Sequence, residues 1–238
     1  MSEALYLKDC YLKTWNAVVE SVDQGKFVIL DKTAFYPNGG GQPNDTGKMA
    51  RSDGKEFKVV FVGKFGGKIS HEVETPAGSE LKNGDRVTCE LDWNRRYVHM
   101  RYHTACHVLS SVINQKTGAL ITGNQIAANK TRIDFSLDYM DRDVLPGFES
   151  EANKIVQESH PVSFDFISRK DALERPHLAM LAKGLPEHET IRVVKIGEFN
   201  EQACGGTHLK GTKEIGRIKI TDFVNKGKNN RRIYFVLE

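Results

Sequence analysis

The chain has 238 residues, 39% of them hydrophobic and 27% charged, with a formal net charge of +3 at pH 7. This mixture excludes a disordered chain, and no apolar run approaches the roughly 18 residues that a membrane-spanning helix needs. The opening MSEALYLKDC has neither a basic region nor an apolar one, so no secretory signal is expected and the cytoplasm is the expected location. In that reducing compartment the four widely spaced cysteines, Cys10, Cys89, Cys106 and Cys204, are thiols or metal ligands rather than a disulfide framework.

Residues 1–91 read as β. Stretches rich in Val, Ile, Phe and Thr occur at Trp15–Val22, Lys26–Leu30, Phe57–Val62, Lys68–Glu74 and Arg86–Leu91. Turn signals separate them at Gln24-Gly25, Ser52-Asp53-Gly54, Gly66-Gly67 and Asn83-Gly84-Asp85. Short strands at this spacing predict a small barrel. The period then changes. Asp92 is a plausible N-cap for a helix over Arg95–Lys116, which Gly118 would stop. Beyond it come a strand at Thr131–Ser136, a helix at Val144–Ser159 and strands at Val162–Ile167, Ile191–Ile196, Gly216–Phe223 and Arg232–Leu237. Helices and strands intermixed without strict alternation give an α+β class for residues 92–238, with the domain boundary near Leu91.

Two short motifs carry the chemistry. His103 and His107 stand four apart on the long helix, so both imidazoles project from one face. Far downstream, Cys204 and His208 flank Gly205-Gly206-Thr207, where two glycines would let the backbone turn and the side chains converge. Each pair alone is weak. Together they offer three imidazoles and one thiolate, a donor set suited to one Zn²⁺ per chain. Spacing leaves two alternatives open: His99 continues the histidine stripe, and Cys106 could compete as the thiolate. With four protein ligands a zinc would look structural, so a catalytic role requires one of them to yield its position.

The C-terminal region is basic. Eight Lys/Arg lie between Lys210 and Arg232 (Lys210, Lys213, Arg217, Lys219, Lys226, Lys228, Arg231 and Arg232) against Glu214 and Asp222. This is either a solvated edge or a contact for a phosphate backbone. The segment Thr33–Gly47 contains the run Gly39-Gly40-Gly41-Gln42. It fits neither a Walker A loop nor a dinucleotide-binding pattern.

Four stretches together resemble one family. FYPNGGGQPNDTG at Phe35–Gly47, RYHTACHVL at Arg101–Leu109, RIDF at Arg132–Phe135 and CGGTH at Cys204–His208 are similar to the editing region of alanyl-tRNA synthetase and its free-standing AlaX-type relatives. The similarity runs from about residue 15 to the C-terminus. The two ligand motifs also resemble the editing domain of threonyl-tRNA synthetase, whereas the glycine-rich segment favours the alanyl branch. The resemblance implies zinc on His103, His107, Cys204 and His208, and speaks against His99 and Cys106. It implies a β-barrel like that of translation-factor second domains over residues 1–91, an α+β editing domain over 92–238, and the medium-length form of the family. It also implies a zinc-dependent aminoacyl-tRNA deacylase acting on the acceptor end of tRNA(Ala) mischarged with serine, with glycine as a second substrate, and no obligate protein partner.

Gly39, Gly40, Gly41 and Gln42 then become pocket candidates, and Lys210, Lys213, Arg231 and Arg232 candidates for tRNA contact. In one respect the chain departs from the synthetase pattern. A Gln usually precedes the RIDF-like strand, but here that position falls on Ile121, leaving Thr122 as the nearest polar pocket candidate. A tRNA-binding module with structural zinc and an editor of threonyl-type specificity are the competing readings.

Overall fold

The structure, a computed structural model, describes residues 2–76 and 78–238. The chain forms two compact units, the first ending at Val98 and the second running His99–Glu238. Among the described residues no helix is long and apolar enough to cross a membrane.

In the first unit β1 (Glu3–Ala4) pairs in parallel with β4 (Lys32–Thr33). The rest is a closed antiparallel barrel ordered β2 (Thr14–Asp23), β3 (Phe27–Leu30), β7 (Lys68–Glu74), β6 (Glu56–Phe65), β5 (Gly47–Arg51) and β8 (Arg86–Leu91). Alternation builds it: Trp15, Ala17 and Val19 in β2 and Val87, Cys89 and Leu91 in β8 face inward, and their neighbours face out. Phe35, Phe57, Val59 and Val62 fill the centre. No strand pattern marks β5, whose GKMAR buries only Met49. Ladders to β6 on one side and β8 on the other hold it extended in place of its own propensity. Gly47 is obligatory there, since a Cβ would lie 2.1 Å from the Glu90 carbonyl oxygen.

The glycine-rich run forms a tight turn on this unit. Gly39 and Gln42 exchange backbone hydrogen bonds of 3.1 and 2.9 Å, while Gly40 and Gly41 have φ of +59° and +84°. A type I′ turn demands positive φ at both central positions, which is what the glycines supply. Downstream, the Asp45 carboxylate accepts from the Tyr36 N–H at 2.6 Å and from the Arg96 guanidinium. Both charged side chains are fully buried, and Arg96 also donates to the carbonyls of Cys10 and Ala34. Such a pair is tolerable in the interior because its hydrogen-bonding capacity is satisfied.

Helix α1 (Trp93–Thr117) starts where the Asp92 carboxylate caps it, accepting from the Arg95 N–H at 3.1 Å. It stops at Gly118, whose φ of +71° ends the helical path. Residues 102–113 are all buried, so this is an encircled helix rather than a one-faced amphipathic one.

The second unit contains two antiparallel sheets. One is ordered β14 (Ile218–Asn225), β15 (Arg231–Leu237), β10 (Thr131–Phe135) and β9 (Ile121–Gln125). The other is ordered β11 (Val162–Ser168), β12 (Thr190–Ile196) and β13 (Asn200–Ala203). Helix α2 (Leu145–Gln157) has a proline in its first turn and buries Phe148, Ala152, Ile155 and Val156. Its Asn153 amide serves edge strand β14 as a surrogate partner, donating to the Ile218 carbonyl at 2.7 Å and accepting from the Ile218 N–H at 2.8 Å. Short α3 (Arg169–Leu173) follows β11. The polar segments ITGNQ and NEQA, which carry no strand pattern, are strands β9 and β13 through pairing with β10 and β12.

Candidate metal centre

The two ligand motifs meet. His103 and His107 come from α1, and Cys204 and His208 from the segment after β13. Their ligand atoms all lie within 4.8 Å of one another. Cys204 Sγ is 3.5 Å from His103 Nε2 and 3.3 Å from His208 Nε2. Tetrahedral zinc with ordinary Zn–N and Zn–S bonds has ligand–ligand edges of about 3.4–3.6 Å, so these separations fit the group. The donor chemistry agrees. His107 Nδ1 is buried with no hydrogen-bond partner among the described residues, so this imidazole is not satisfied by the protein alone. Burial, with the positive Arg192 and neighbouring imidazoles adding to it, pushes His103 down to about 3 and His107 and His208 well below the ordinary histidine range. Neutral imidazole is the ligating form. His99 and Cys106 are buried but lie outside the four-donor group, and burial raises the Cys106 thiol far above the usual range. Of the four donors, Cys204 alone is partly exposed, so approach is from its side.

Two residues that the sequence reading did not single out hold this geometry. Thr104 Oγ1 donates its one proton to the Met100 carbonyl at 2.9 Å and accepts the Leu209 N–H at 3.1 Å. Its contact with His208 Nδ1, at 3.2 Å, must therefore be donated by the imidazole. That assignment leaves His208 Nε2 unprotonated and turned to Cys204, a tautomer fixed from outside the ligand shell. Arg192, buried in β12, donates through Nη1 to the carbonyls of Cys204 and Gly206, both at 2.9 Å. The Gly206 N–H points at Cys204 Sγ from 3.4 Å. The glycines act differently from expectation. Neither Gly205 nor Gly206 has positive φ, and a Cβ on Gly205 would meet nothing within 4 Å. The loop is shaped by tethers to Arg192 and Thr104 rather than by a left-handed turn. A cation inside TIRVVKI and a hydroxyl between two helical histidines are the signals that could have pointed to these residues.

The other site candidates lie on different elements. Gly39 and Gly40 are exposed, Gly41 is half-buried and Gln42 is buried, all in the first unit. Thr122 lies in the second unit, exposed on edge strand β9 at a bulge between the pairs Ile121–Phe135 and Gly123–Asp134. Lys210 and Lys213 are exposed close after His208. Arg231 and Arg232 are both engaged within the fold. Arg231 is buried, and its Nη1 donates to Asn225 Oδ1 and to the carbonyls of Gly227 and Asn230, closing the β14–β15 hairpin. Arg232 grips Asp134 in β10 with bonds of 2.6 and 2.8 Å. Both guanidiniums are committed to the fold.

Comparison with known proteins identifies the family. The family description "tRNA synthetases class II (A)" matches residues 8–95, and "Threonyl and Alanyl tRNA synthetase second additional domain" matches 191–234. The chain is 53% identical, over its full length and 99% of the relative's, to the alanyl-tRNA editing protein AlaX-M of Methanosarcina acetivorans. It is 38% identical over the full length of both chains to AlaX-M of Saccharolobus solfataricus. With alanine–tRNA ligase of Pyrococcus abyssi it shares 39% identity over 92% of this chain and 24% of the ligase.

Proposed function

We propose that this chain, which belongs to the AlaX-M family of alanyl-tRNA editing proteins, hydrolyses the ester joining a wrongly attached amino acid to the terminal ribose of tRNA(Ala). Serine is the principal substrate and glycine the second, and the reaction depends on one zinc held by His103, His107, Cys204 and His208. The observation that carries this reading is the convergence of those four donors.

A synthetase pocket sized for alanine cannot strongly reject smaller glycine or near-isosteric serine, so a second sieve is required. A site with polar groups placed for the serine hydroxyl spares alanine, because alanine would leave those groups unpaired. In the reaction a water oxygen bonds to the ester carbonyl carbon, the bond to the ribose oxygen breaks, and the ribose hydroxyl leaves with a proton. Zinc, when bound, supplies Lewis-acid polarisation of the ester or a fixed point for the substrate. The chain's own residues set the stage: Thr104 fixes the His208 tautomer, Arg192 holds the Cys204–Gly206 backbone, and partly exposed Cys204 marks the side of entry.

Residues 1–91 form the barrel domain, related in kind to translation-factor second domains, and 92–238 the editing domain. Lys210 and Lys213 contact the phosphate backbone, and Thr122 contributes to recognition of the acyl end. The test is deacylation of Ser-, Gly- and Ala-tRNA(Ala) by native and zinc-stripped protein side by side. Rapid zinc-dependent loss of serine with alanine spared is expected. Binding of tRNA without turnover of any of the three would make the zinc structural and overturn the assignment.

A further inference from the structure

Phe166 and Arg192 are register partners across β11 and β12. Cys204 extends β13 opposite Arg192, donating its N–H to the Arg192 carbonyl at 3.0 Å. Partners across antiparallel strands point to the same face, so Phe166, Arg192 and the ligand Cys204 form one row across one face of this sheet. At about 4.8 Å per strand step, the row is roughly 10 Å long from Cα to Cα. The middle of the row is fixed. The Arg192 guanidinium is tied to the Cys204 and Gly206 carbonyls and lies 4.4 Å from the Phe164 ring centroid. Phe164 meets Phe166 edge to face, with centroids 6.0 Å apart. The outer end of the row is open: Phe166 is 46% exposed on edge strand β11.

An exposed phenyl ring on an edge strand invites unwanted association, and a polar residue would serve the solvated edge better. A ring backed by a second aromatic and a buried guanidinium is, however, the usual platform for an unstacked nucleobase. The substrate of the reaction proposed above carries such a base one ribose away from its scissile ester. We infer that Phe166, supported by Phe164 and Arg192, stacks the terminal adenine of the acylated tRNA and so places the ester at the Cys204 end of the row. This rests on the deacylase reading for its substrate, and its site lies wholly in the second unit.

The probe is a tRNA(Ala) acceptor-stem minihelix with 2-aminopurine in place of the terminal adenine and a dye on its 5′ end. Anisotropy of the dye reports binding, and quenching of 2-aminopurine reports stacking. Native protein and Phe166→Tyr quench on binding. Phe166→Leu, which keeps an apolar side chain, still binds one zinc but loses the quench, and its KM for Ser-tRNA(Ala) rises about tenfold with kcat within about twofold. Binding of the minihelix by native protein without quenching, no binding at all, or an unchanged quench and KM in Phe166→Leu would each overturn the platform. Quenching by a native protein that hydrolyses no acyl-tRNA would overturn the deacylase reading and leave the base site standing.

Discussion

Buried histidines occupy both units of this protein, and they are there for different reasons. In the barrel, His71 is fully buried, with Nδ1 donating to the Val28 carbonyl and Nε2 accepting from the Thr33 hydroxyl, each at 2.9 Å. Every polar atom of that ring is satisfied by the chain itself. In the second unit His103, His107 and His208 are as deeply buried, but their rings crowd within centroid distances of 4.3–5.2 Å around Cys204, with a ring nitrogen of His107 left orphaned. Basicity is depressed in both places, to about 4 for His71 and about 3 for His103, burial being the leading cause each time. Burial and a lowered pKa therefore do not mark the site. Several donors turned toward one point, with valence left over, do.

The contrast is broken most directly at its metal end. Cys204→Ala is expected to lose bound zinc and to drop deacylation to background, whereas Cys106→Ser keeps both, as read by metal analysis and initial rates. Equal zinc loss in the two variants would mean the ligand set is wrong. The next effect lies in the barrel and concerns acid. Between pH 6.5 and about 4 the unfolded chain binds a proton that folded His71 refuses. Stability is therefore full above 6.5 and declines as pH falls toward 4, by at most about 3 kcal/mol. Both tryptophans, Trp15 and Trp93, lie in the first unit, so denaturant titrations followed by their fluorescence read this slope. His71→Gln should flatten it without touching zinc affinity.

Smaller effects sharpen the comparison. Thr104→Val removes the acceptor for His208 Nδ1 and is expected to weaken zinc about tenfold in a chelator competition, with Thr104→Ser close to native. An unchanged affinity in the valine variant would reduce Thr104 to a packing role. Smallest are the glycines. Gly41→Ala, at φ +84°, should cost about 1 kcal/mol, and Gly205→Ala should stay within about 0.5 kcal/mol of native, both read by denaturant titration followed by circular dichroism.

Much of this was legible in the residues. Apolar stretches punctuated by Gly and Asn-Gly turns announced the barrel, Asp92 and Gly118 bracketed α1, and the two short motifs supplied four donors that do converge, although spacing left His99 and Cys106 open and only the family resemblance spoke against them. What was not legible is what depends on neighbours. GKMAR, ITGNQ and NEQA are strands only because flanking strands offer them ladders. The two glycine pairs look alike in one dimension, yet Gly40-Gly41 supplies left-handed backbone while Gly205-Gly206 sits in a loop held from outside by Arg192 and Thr104. Arg231 and Arg232 read as surface charge because composition cannot say that Asn225 and Asp134 stand opposite them.

The engagement of those two arginines reaches into how the protein meets a polyanion. Composition assigns eight cations to the stretch from Lys210 to Arg232, but at least three of them, Lys219, Arg231 and Arg232, face carbonyls and carboxylates of their own chain. Each phosphate neutralised from outside releases condensed counterions and adds about 0.9 to the slope of log affinity against log salt. Cations already paired within the chain are expected to release fewer. The C-terminal stretch is therefore a milder electrolyte than its sequence advertises, and its hold on RNA should fade more gently with ionic strength than a count of its charges implies.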